Sequence, residues 1–169
     1  MSESENRVGQ YARRVGEILG LENETLSMLE LAGSLHDVGK DMLSERIVDK
    51  PGPLTDAEWE AMRRHPELGE AFAREKGHPE DIADWVRHHH ERLDGTGYPD
   101  HLEGEDIPMG ARIIAVLDAY VGMTSPRPYR TSLPPEEALQ ELERAAGSHF
   151  DAEVVSVFVR LVRANLANL

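Results

Sequence analysis

The sequence predicts an all-α protein, a compact bundle of about eight helices. Apolar residues recur at steps of three and four along most of the chain, which is the period of an amphipathic helix. Glycine and proline stand between these stretches and mark their ends. The chain contains no convincing pair of segments with the strand period of two.

The helices of the N-terminal half are predicted from this periodicity and from their end signals. The first covers 8–20, and the second covers 26–39, where a glycine stops it. The third begins at Thr55, because Glu58 follows three residues later and completes a capping-box pattern. It is expected to reach residue 64. The fourth covers 66–77, since a proline opens it and a glycine closes it.

The middle of the chain predicts two helices that flank a loop. A proline opens the helix 79–91, which carries apolar residues on one side. Residues 92–107 contain glycine and proline without periodicity, so they are predicted to form a glycine-rich loop. The helix 108–123 is expected to be buried, because its stretch 113-IIAVL-117 is continuously apolar.

Two further helices, 134–147 and 151–169, are predicted after a proline-rich link at 125–133. The apolar face of the final helix either packs within the chain or faces a second copy, so a homodimer is one alternative. No linker is long enough to divide the sequence. Residues 1–169 are therefore predicted to form one domain, with 1–7 as a mobile or truncated N-terminus.

Composition excludes several classes of function. The 169 residues carry 18 Lys and Arg against 32 Asp and Glu, a net charge of −14. Such a chain is a poor binder of polymeric nucleic acid or anionic membranes. It has no cysteine, no apolar run near the roughly 20 residues of a membrane span and no signal-peptide pattern. These features predict a cytoplasmic protein.

Charged residues interrupt two apolar helices. His36 and Asp37 lie on the apolar face of the second helix, and Lys40 follows one turn later on the same side. A buried carboxylate needs a cation, which a structural Asp–Lys pair or a metal ion would supply. Asp118 interrupts the most apolar helix, and Arg112 points about 120° away from it at 100° per residue. A metal ion is therefore the better partner for Asp118.

Three further histidines lie at helix junctions. His65 precedes a proline, and His89 and His90 stand near a helix end beside the glycine-rich loop. Each is explained alone as a capping or solvent-exposed residue. Together with the carboxylates they indicate a site for iron, manganese or zinc, because imidazole and carboxylate without sulfur suit these metals. A carboxylate such as Asp37 can bridge two ions that share an activated hydroxide, so the set predicts metal-assisted phosphoester hydrolysis.

Four strings in the sequence resemble the HD-GYP domain family. They are 36-HDVGK-40, 65-HPELG-69, 89-HHERLDGTGYP-99 and 127-RPYR-130. The resemblance covers nearly the whole chain, and the combination of its strings is highly specific. It implies an HD-domain-like helical bundle with a glycine-rich GYP loop. It also implies a phosphodiesterase that hydrolyses the bacterial second messenger cyclic di-GMP to pGpG and/or GMP by a metal-activated hydroxide.

The resemblance assigns a metal ligand set and a cofactor. The metal ligands that it implies are His36, Asp37, His65, His89, His90 and Asp118. Asp37 is the bridge between two divalent ions, which are expected to be iron or manganese, with zinc, nickel or magnesium as alternatives.

The resemblance also implies contacts to the nucleotide. Lys40 is expected to contact the scissile phosphate, and Tyr98 of the GYP string is expected to contact the substrate. Two loop glycines, Gly95 and Gly97, would allow close approach of the backbone. The cations that would contact the phosphates are Arg127 and Arg130. The remaining histidines are expected to be structural or on the surface, and Trp59 and Trp85 are expected in the core.

The sequence departs from the family pattern at three points. The histidine usual in the first helix would fall near Ser4, and residues 1–8 contain none, so a third ion is not expected. The string 121-VGM-123 stands where Asp-Ala-Leu is usual. Pro126 replaces an acidic residue before the RPYR string.

These departures leave two alternatives to the phosphodiesterase. One is a degenerate module that binds cyclic di-GMP or a signalling protein such as a diguanylate cyclase without turnover. The other is an HD phosphohydrolase of other nucleotides, against which the GYP loop argues.

Overall fold

The structure, a computed structural model, describes residues 3–126 and 131–167. Within these ranges the chain forms nine α-helices and two 3₁₀ helices, and β structure is limited to two isolated bridges. The α-helices are α1 (Glu3–Ile18), α2 (Asn23–Leu35), α3 (Glu45–Val48), α4 (Asp56–Met62), α5 (His65–Glu75), α6 (Glu80–His88), α7 (Met109–Thr124), α8 (Pro135–Ala145) and α9 (Ala152–Leu166). The 3₁₀ helices cover Val38–Met42 and Gly104–Asp106.

The second predicted helix is wrong in its C-terminal part. Helix α2 ends at Leu35, and the chain resumes as the 3₁₀ helix Val38–Met42 after a break. Close packing against α5 accompanies this break, since a Cβ atom on Gly39 would lie 1.9 Å from the carbonyl oxygen of His65. Glycine is therefore required at position 39, and His36 and Asp37 lie in the break rather than within a helix.

Other boundaries differ by shorter stretches. Helix α1 begins at Glu3, five residues before its predicted start, and α6 ends at His88 rather than at residue 91. The capping box at Thr55 is present as predicted, because its side chain accepts from Glu58 N and the Glu58 carboxylate accepts from Thr55 N. The turn helix α3 was not predicted, since four residues are too short for a periodic signal.

The core is built around α7, which carries fully buried residues such as Ile114 and Leu117. Helices α1, α2, α6, α8 and α9 pack against it. Tyr11 of α1 and Tyr120 of α7 both meet the ring of Phe158 of α9 edge to face, at centroid distances of 5.2 and 4.9 Å. These ring contacts join three helices, and the apolar face of α9 is buried within the chain.

The two tryptophans have different environments. Trp85 is buried and lies against Gly110, as predicted for a core residue. Trp59 is 49% exposed, so its predicted place in the core is wrong. Helix α4, which carries it, has no buried residue at all. Across the described part of the chain, no helix has both the length and the apolar character that a membrane crossing requires.

Phe158→Ala is expected to lower the free energy of unfolding by about 3–5 kcal/mol, because it removes a fully buried ring and both edge-to-face contacts. Urea unfolding followed by circular dichroism measures the change. The matched control is Leu166→Ala on the same helix, where the side chain is 40% exposed and the expected change is about 0.5 kcal/mol or less. Equal losses in the two variants would contradict the proposed role of the aromatic cluster.

Candidate metal centre

Three breaks or ends of helices and the middle of a fourth helix bring the predicted metal ligands together. The break after α2 supplies His36 and Asp37, and the first residue of α5 is His65. The two residues after α6 are His89 and His90. Asp118 comes from the middle of α7. All six predicted ligands therefore face one region between α2, α5, α6 and α7.

Three imidazoles are oriented by the same backbone contact. In each, Nδ1 lies 2.7 Å from the carbonyl oxygen three residues earlier in the chain. The pairs are His36–Gly33, His65–Met62 and His89–Val86. A carbonyl can only accept, so Nδ1 carries the proton and donates it. Each Nε2 is then aimed at the centre, as it is in histidines that bind metals.

The ligand atoms form two groups that share Asp37. One group consists of Asp37, His65, His89 and His90, and the other of His36, Asp37 and Asp118; within each, the ligand atoms lie within 4.8 Å of one another. The Oδ1 atom of Asp37 is 3.3 Å from His65 Nε2. Its Oδ2 atom is 3.5 Å from His36 Nε2, which is 3.4 Å from Asp118 Oδ1. Asp37 could therefore serve as a metal ligand in both groups.

Two buried polar atoms at the centre are available to a ligand from outside the protein. Among residues 3–126 and 131–167, neither His36 Nε2 nor Asp37 Oδ1 has a hydrogen-bond partner. A buried polar atom without a partner costs free energy, and such atoms are rare in native proteins. Nitrogen and carboxylate oxygen are donors that suit divalent first-row metals. The residues present therefore fit a metal centre.

The protonation states of the ligands also suit metal binding. Burial, reinforced by the neighbouring imidazoles, holds the pKa of His89 well below its usual range and lowers that of His90 to about 4. Burial opposes the charge on Asp37, but His36, His65 and Lys40 outweigh it and keep the pKa of this carboxyl low. Neutral imidazoles beside an ionised carboxylate are the forms that coordinate a metal ion.

His36 and Asp118 form a coupled pair at the other side of the bridge. Burial would lower the pKa of His36, but the charges of Asp37 and Asp118 overcome it and raise the pKa to about 9. The pKa of Asp118 is lowered, since the contact with His36 outweighs the effect of burial. In the metal-free protein, both ring nitrogens of His36 therefore carry a proton at neutral pH, and the side chain is positively charged.

Lys40 lies beside the bridging carboxylate. Its Nζ donates to Asp37 Oδ2 at 2.6 Å, and its side chain stays partly exposed. The short 3₁₀ helix after the break places it there, one turn beyond Asp37. After His36 and His65, this contact also helps to keep the pKa of Asp37 low, and it places a partly exposed positive charge beside the carboxylate.

Tyr98 lies over the histidine pair. Its ring stacks on His90 at a centroid distance of 4.9 Å. The guanidinium of Arg63, the residue that follows α4, lies 5.6 Å from the centroid of the Tyr98 ring. Burial raises the pKa of Tyr98, so its phenol remains a neutral hydroxyl. These residues border a cavity of about 430 Å³, which reaches from the metal centre to the GYP loop. Its lining also includes Asp118, Arg92 and Phe150.

Glu91, which the sequence reasoning did not single out, holds the GYP loop in place. It is buried, and its carboxylate accepts from the backbone N–H of Asp100 at 2.6 Å and of Leu102 at 3.2 Å. Gly97 lies against the same stretch, because a Cβ atom there would be 2.4 Å from Arg92 N. The signal was present in the string HHE, where a glutamate directly follows two ligands.

A network of charged side chains joins Asp100 of the loop to α5 and α6. Arg87 donates twice to the Asp100 carboxylate, at 2.6 and 2.8 Å, and once to Glu70 at 2.6 Å. The buried His88, which lay outside the motif, has Nε2 2.8 Å from Asp100. The loop that carries Tyr98 is thereby attached through Asp100 to α5 and α6, whose ends supply His65, His89 and His90.

The other predicted substrate contacts are placed differently. Gly97 borders the 430 Å³ cavity, whereas Gly95 has a φ of 73° and faces the side chain of Glu103. Arg127 and Arg130 lie outside the described residues.

The N-terminus of α1 reaches the metal centre from the side opposite the GYP loop. Ser4 and Glu5 border a second cavity, of about 180 Å³, together with His36, Asp37 and Asp118. Ser4, the position near which the resemblance to the HD-GYP family led us to expect a histidine, therefore stands beside the candidate metal centre. Its Oγ lies 3.4 Å from the hydroxyl of a serine that follows α7.

Comparison with known proteins identifies similar sequences. The HD domain family model matches residues 1–154. A cyclic di-GMP phosphodiesterase of Thermotoga maritima is 38% identical over 157 residues, which are 92% of this chain and 43% of the relative. The 3'3'-cGAMP-specific phosphodiesterase 2 of Vibrio cholerae is 36% identical over 155 residues, which are 90% of this chain and 30% of the relative. The chain thus spans less than half of either relative.

Solved structures confirm the predicted fold class. The crystal structure of a cyclic GMP-AMP specific phosphodiesterase of Vibrio cholerae matches with a TM-score of 0.75 and 21% identity, covering 95% of this chain and 44% of that one. At this identity the likeness concerns the fold, which is an all-helical HD domain.

Asp37→Ala is expected to abolish metal binding while the helical fold remains, because it removes the one carboxylate that both ligand groups share. Metal content after purification and dialysis, measured by mass spectrometry, tests this. The control is Asp81→Asn, at an exposed residue in the first turn of α6, which should bind as much metal as the wild type. Full metal content in Asp37→Ala would show that Asp37 is not the bridge.

Metal binding at pH 7 is expected to release a proton from His36. Its pKa of about 9 in the metal-free protein means that the proton must leave before Nε2 can coordinate, so metal affinity should rise with pH and level off above about pH 9. Calorimetric titration with Mn(II) in two buffers of different ionisation enthalpy counts the released protons. An identical heat in both buffers would contradict this protonation state.

Proposed function

This chain belongs to the HD domain family, as an HD-GYP domain, and from that premise we propose that it is a metal-dependent phosphodiesterase that hydrolyses cyclic di-GMP to pGpG and/or GMP. The observation that carries the proposal is the pair of ligand groups that share Asp37 and border a cavity of about 430 Å³. Relatives that act on cyclic di-GMP and cGAMP support the substrate class.

Six side chains would hold two divalent ions, for which iron or manganese is expected. They are His36, Asp37, His65, His89, His90 and Asp118. The chemistry that such ions supply is activation of water as a nucleophile and neutralisation of charge on the phosphoryl oxygens. The protein's own contribution is rigidity, because helix ends and backbone hydrogen bonds fix the ligands before the ions arrive.

Residues around the centre would position the cyclic dinucleotide. The ammonium of Lys40 is partly exposed beside Asp37, where a phosphate next to the bridge would meet it and developing charge would be stabilised. Tyr98 keeps its phenolic proton and can donate it to an oxygen of the substrate. Local cations such as Arg63 and Arg92 attract an anion to a chain whose net charge is −14.

One observation favours a second candidate, a module that binds cyclic di-GMP or a signalling partner without turnover. Ser4 stands beside His36 and Asp118, where the family pattern has a histidine. A hydroxyl is a weaker metal ligand than an imidazole. Binding of the nucleotide by the other wall, which carries Tyr98, does not need this ligand.

Incubation of the protein with cyclic di-GMP and either Fe(II) or Mn(II) under anaerobic conditions is expected to give pGpG or GMP. Chromatography of the products measures turnover, and Asp37→Ala, which lacks the bridge, should give none. If neither metal gives products while cyclic di-GMP still binds, the result would contradict the phosphodiesterase and support the binding module. Absence of both turnover and binding would contradict both candidates.

A further inference from the structure

We propose that a pocket on the exposed face of α4 binds one nucleobase of the cyclic dinucleotide and selects guanine. The pocket, here called the outer pocket, is lined by Asp56, Trp59, Glu60 and Arg63 and has a volume of about 350 Å³. The inference rests on the proposed function, since it assigns a second contact region to the same ligand.

The outer pocket is one face of a short helix. Its four residues are spaced as i, i+3, i+4 and i+7, which places them side by side along α4 and its C-terminal residue. A face with this spacing is normally the apolar one that packs on the core. Here it is exposed, and none of the residues of α4 is buried.

The indole of Trp59 suits stacking with a base. Tryptophan is usually buried over most of its surface, so a side chain that is 49% exposed is unusual. No aromatic or cation–π contact involving Trp59 occurs among the described residues. Flat aromatic side chains at the edge of a charged cavity are the surfaces on which nucleobases stack.

The charges around Trp59 favour a base rather than a phosphate. Asp56 and Glu60 are both exposed carboxylates, which repel phosphate and can only accept hydrogen bonds. The Watson–Crick edge of guanine presents two donors in a row, N1–H and the N2 amino group, and a carboxylate can accept both. Adenine presents an acceptor at N1, which a carboxylate repels. The pair of acidic residues therefore favours guanine.

Arg63 connects the outer pocket to the metal centre. It lines both the outer pocket and the 430 Å³ cavity, and its guanidinium lies over the ring of Tyr98. The two bases of a cyclic dinucleotide extend from opposite sides of the phosphate ring. One base can therefore enter the 430 Å³ cavity while the other lies against Trp59. Arg63 then lies between the two bases, near the phosphates.

Tryptophan fluorescence tests the stacking directly. The chain has two tryptophans, and Trp85 is buried, so a base that stacks on Trp59 should quench the exposed part of the signal. Rapid mixing of the Mn(II)-loaded protein with cyclic di-GMP records this before turnover. In Trp59→Phe the quenching should be lost while binding remains near the wild-type level, because phenylalanine still stacks. Trp59→Ala should weaken binding on the order of tenfold.

Calorimetry separates the failure of this inference from the failure of the proposed function. Cyclic di-GMP that binds with full affinity to Trp59→Ala, or without quenching the wild type, would overturn the outer pocket and leave the phosphodiesterase intact. Protein that binds no cyclic di-GMP in any variant would overturn both.

The choice of guanine is tested by the ratio of affinities for cyclic di-GMP and cyclic di-AMP. Glu60→Gln replaces one acceptor oxygen by a donor and should reduce this ratio severalfold, mainly by weakening the guanine ligand. The matched control is Glu24→Gln, the same change at an exposed residue of α2, which should leave the ratio unchanged. Equal quenching by the two nucleotides, or an unchanged ratio in Glu60→Gln, would overturn the selection of guanine.

Discussion

The buried negative charge of Asp37 is the constraint on which the rest of the site depends. A carboxylate in this position is stable only when cations or imidazoles surround it, and His36, His65 and Lys40 lie within 3.5 Å of its oxygens. The break after α2 exists in a place where α5 approaches so closely that only glycine fits at position 39. Packing of the helices therefore delivers the ligands to one carboxylate.

The backbone does as much as the side chains to define the centre. Carbonyl groups at helix ends lack partners within the helix, and three of the imidazoles donate to carbonyls three residues before them. The same hydrogen bond therefore completes the helix end and fixes the tautomer of the ligand. This explains why these three histidines are found at breaks and ends of helices, where such carbonyls are free to accept.

Local patterns in the sequence predicted the all-helical fold and most helices, and they singled out the six side chains that the structure brings together, because periodicity and short motifs carry those features. Local patterns could not predict contacts between segments that are distant in the sequence. The break at Asp37 depends on the approach of α5, and the exposure of Trp59 depends on α4 having no neighbour on that face. The apolar character of Trp59 suggested that it is buried, but the packing of the helices leaves it exposed. Glu91 was visible in the motif, but its two backbone partners lie nine and eleven residues later.

The attachment of the GYP loop has a consequence for energetics. Glu91 directly follows the predicted ligand His90 and accepts hydrogen bonds from two backbone amides of the loop, and Arg87 donates to the side chain of Asp100, which supplies one of these amides. The segment with His90, which would bind an ion, and the loop with Tyr98, which would bind a nucleotide, are thus held together by hydrogen bonds. For a chain that binds both as proposed, thermodynamic reciprocity then applies: the factor by which the ion changes the affinity for the nucleotide is the factor by which the nucleotide changes the affinity for the ion. The two binding events would then be coupled through a single stretch of backbone.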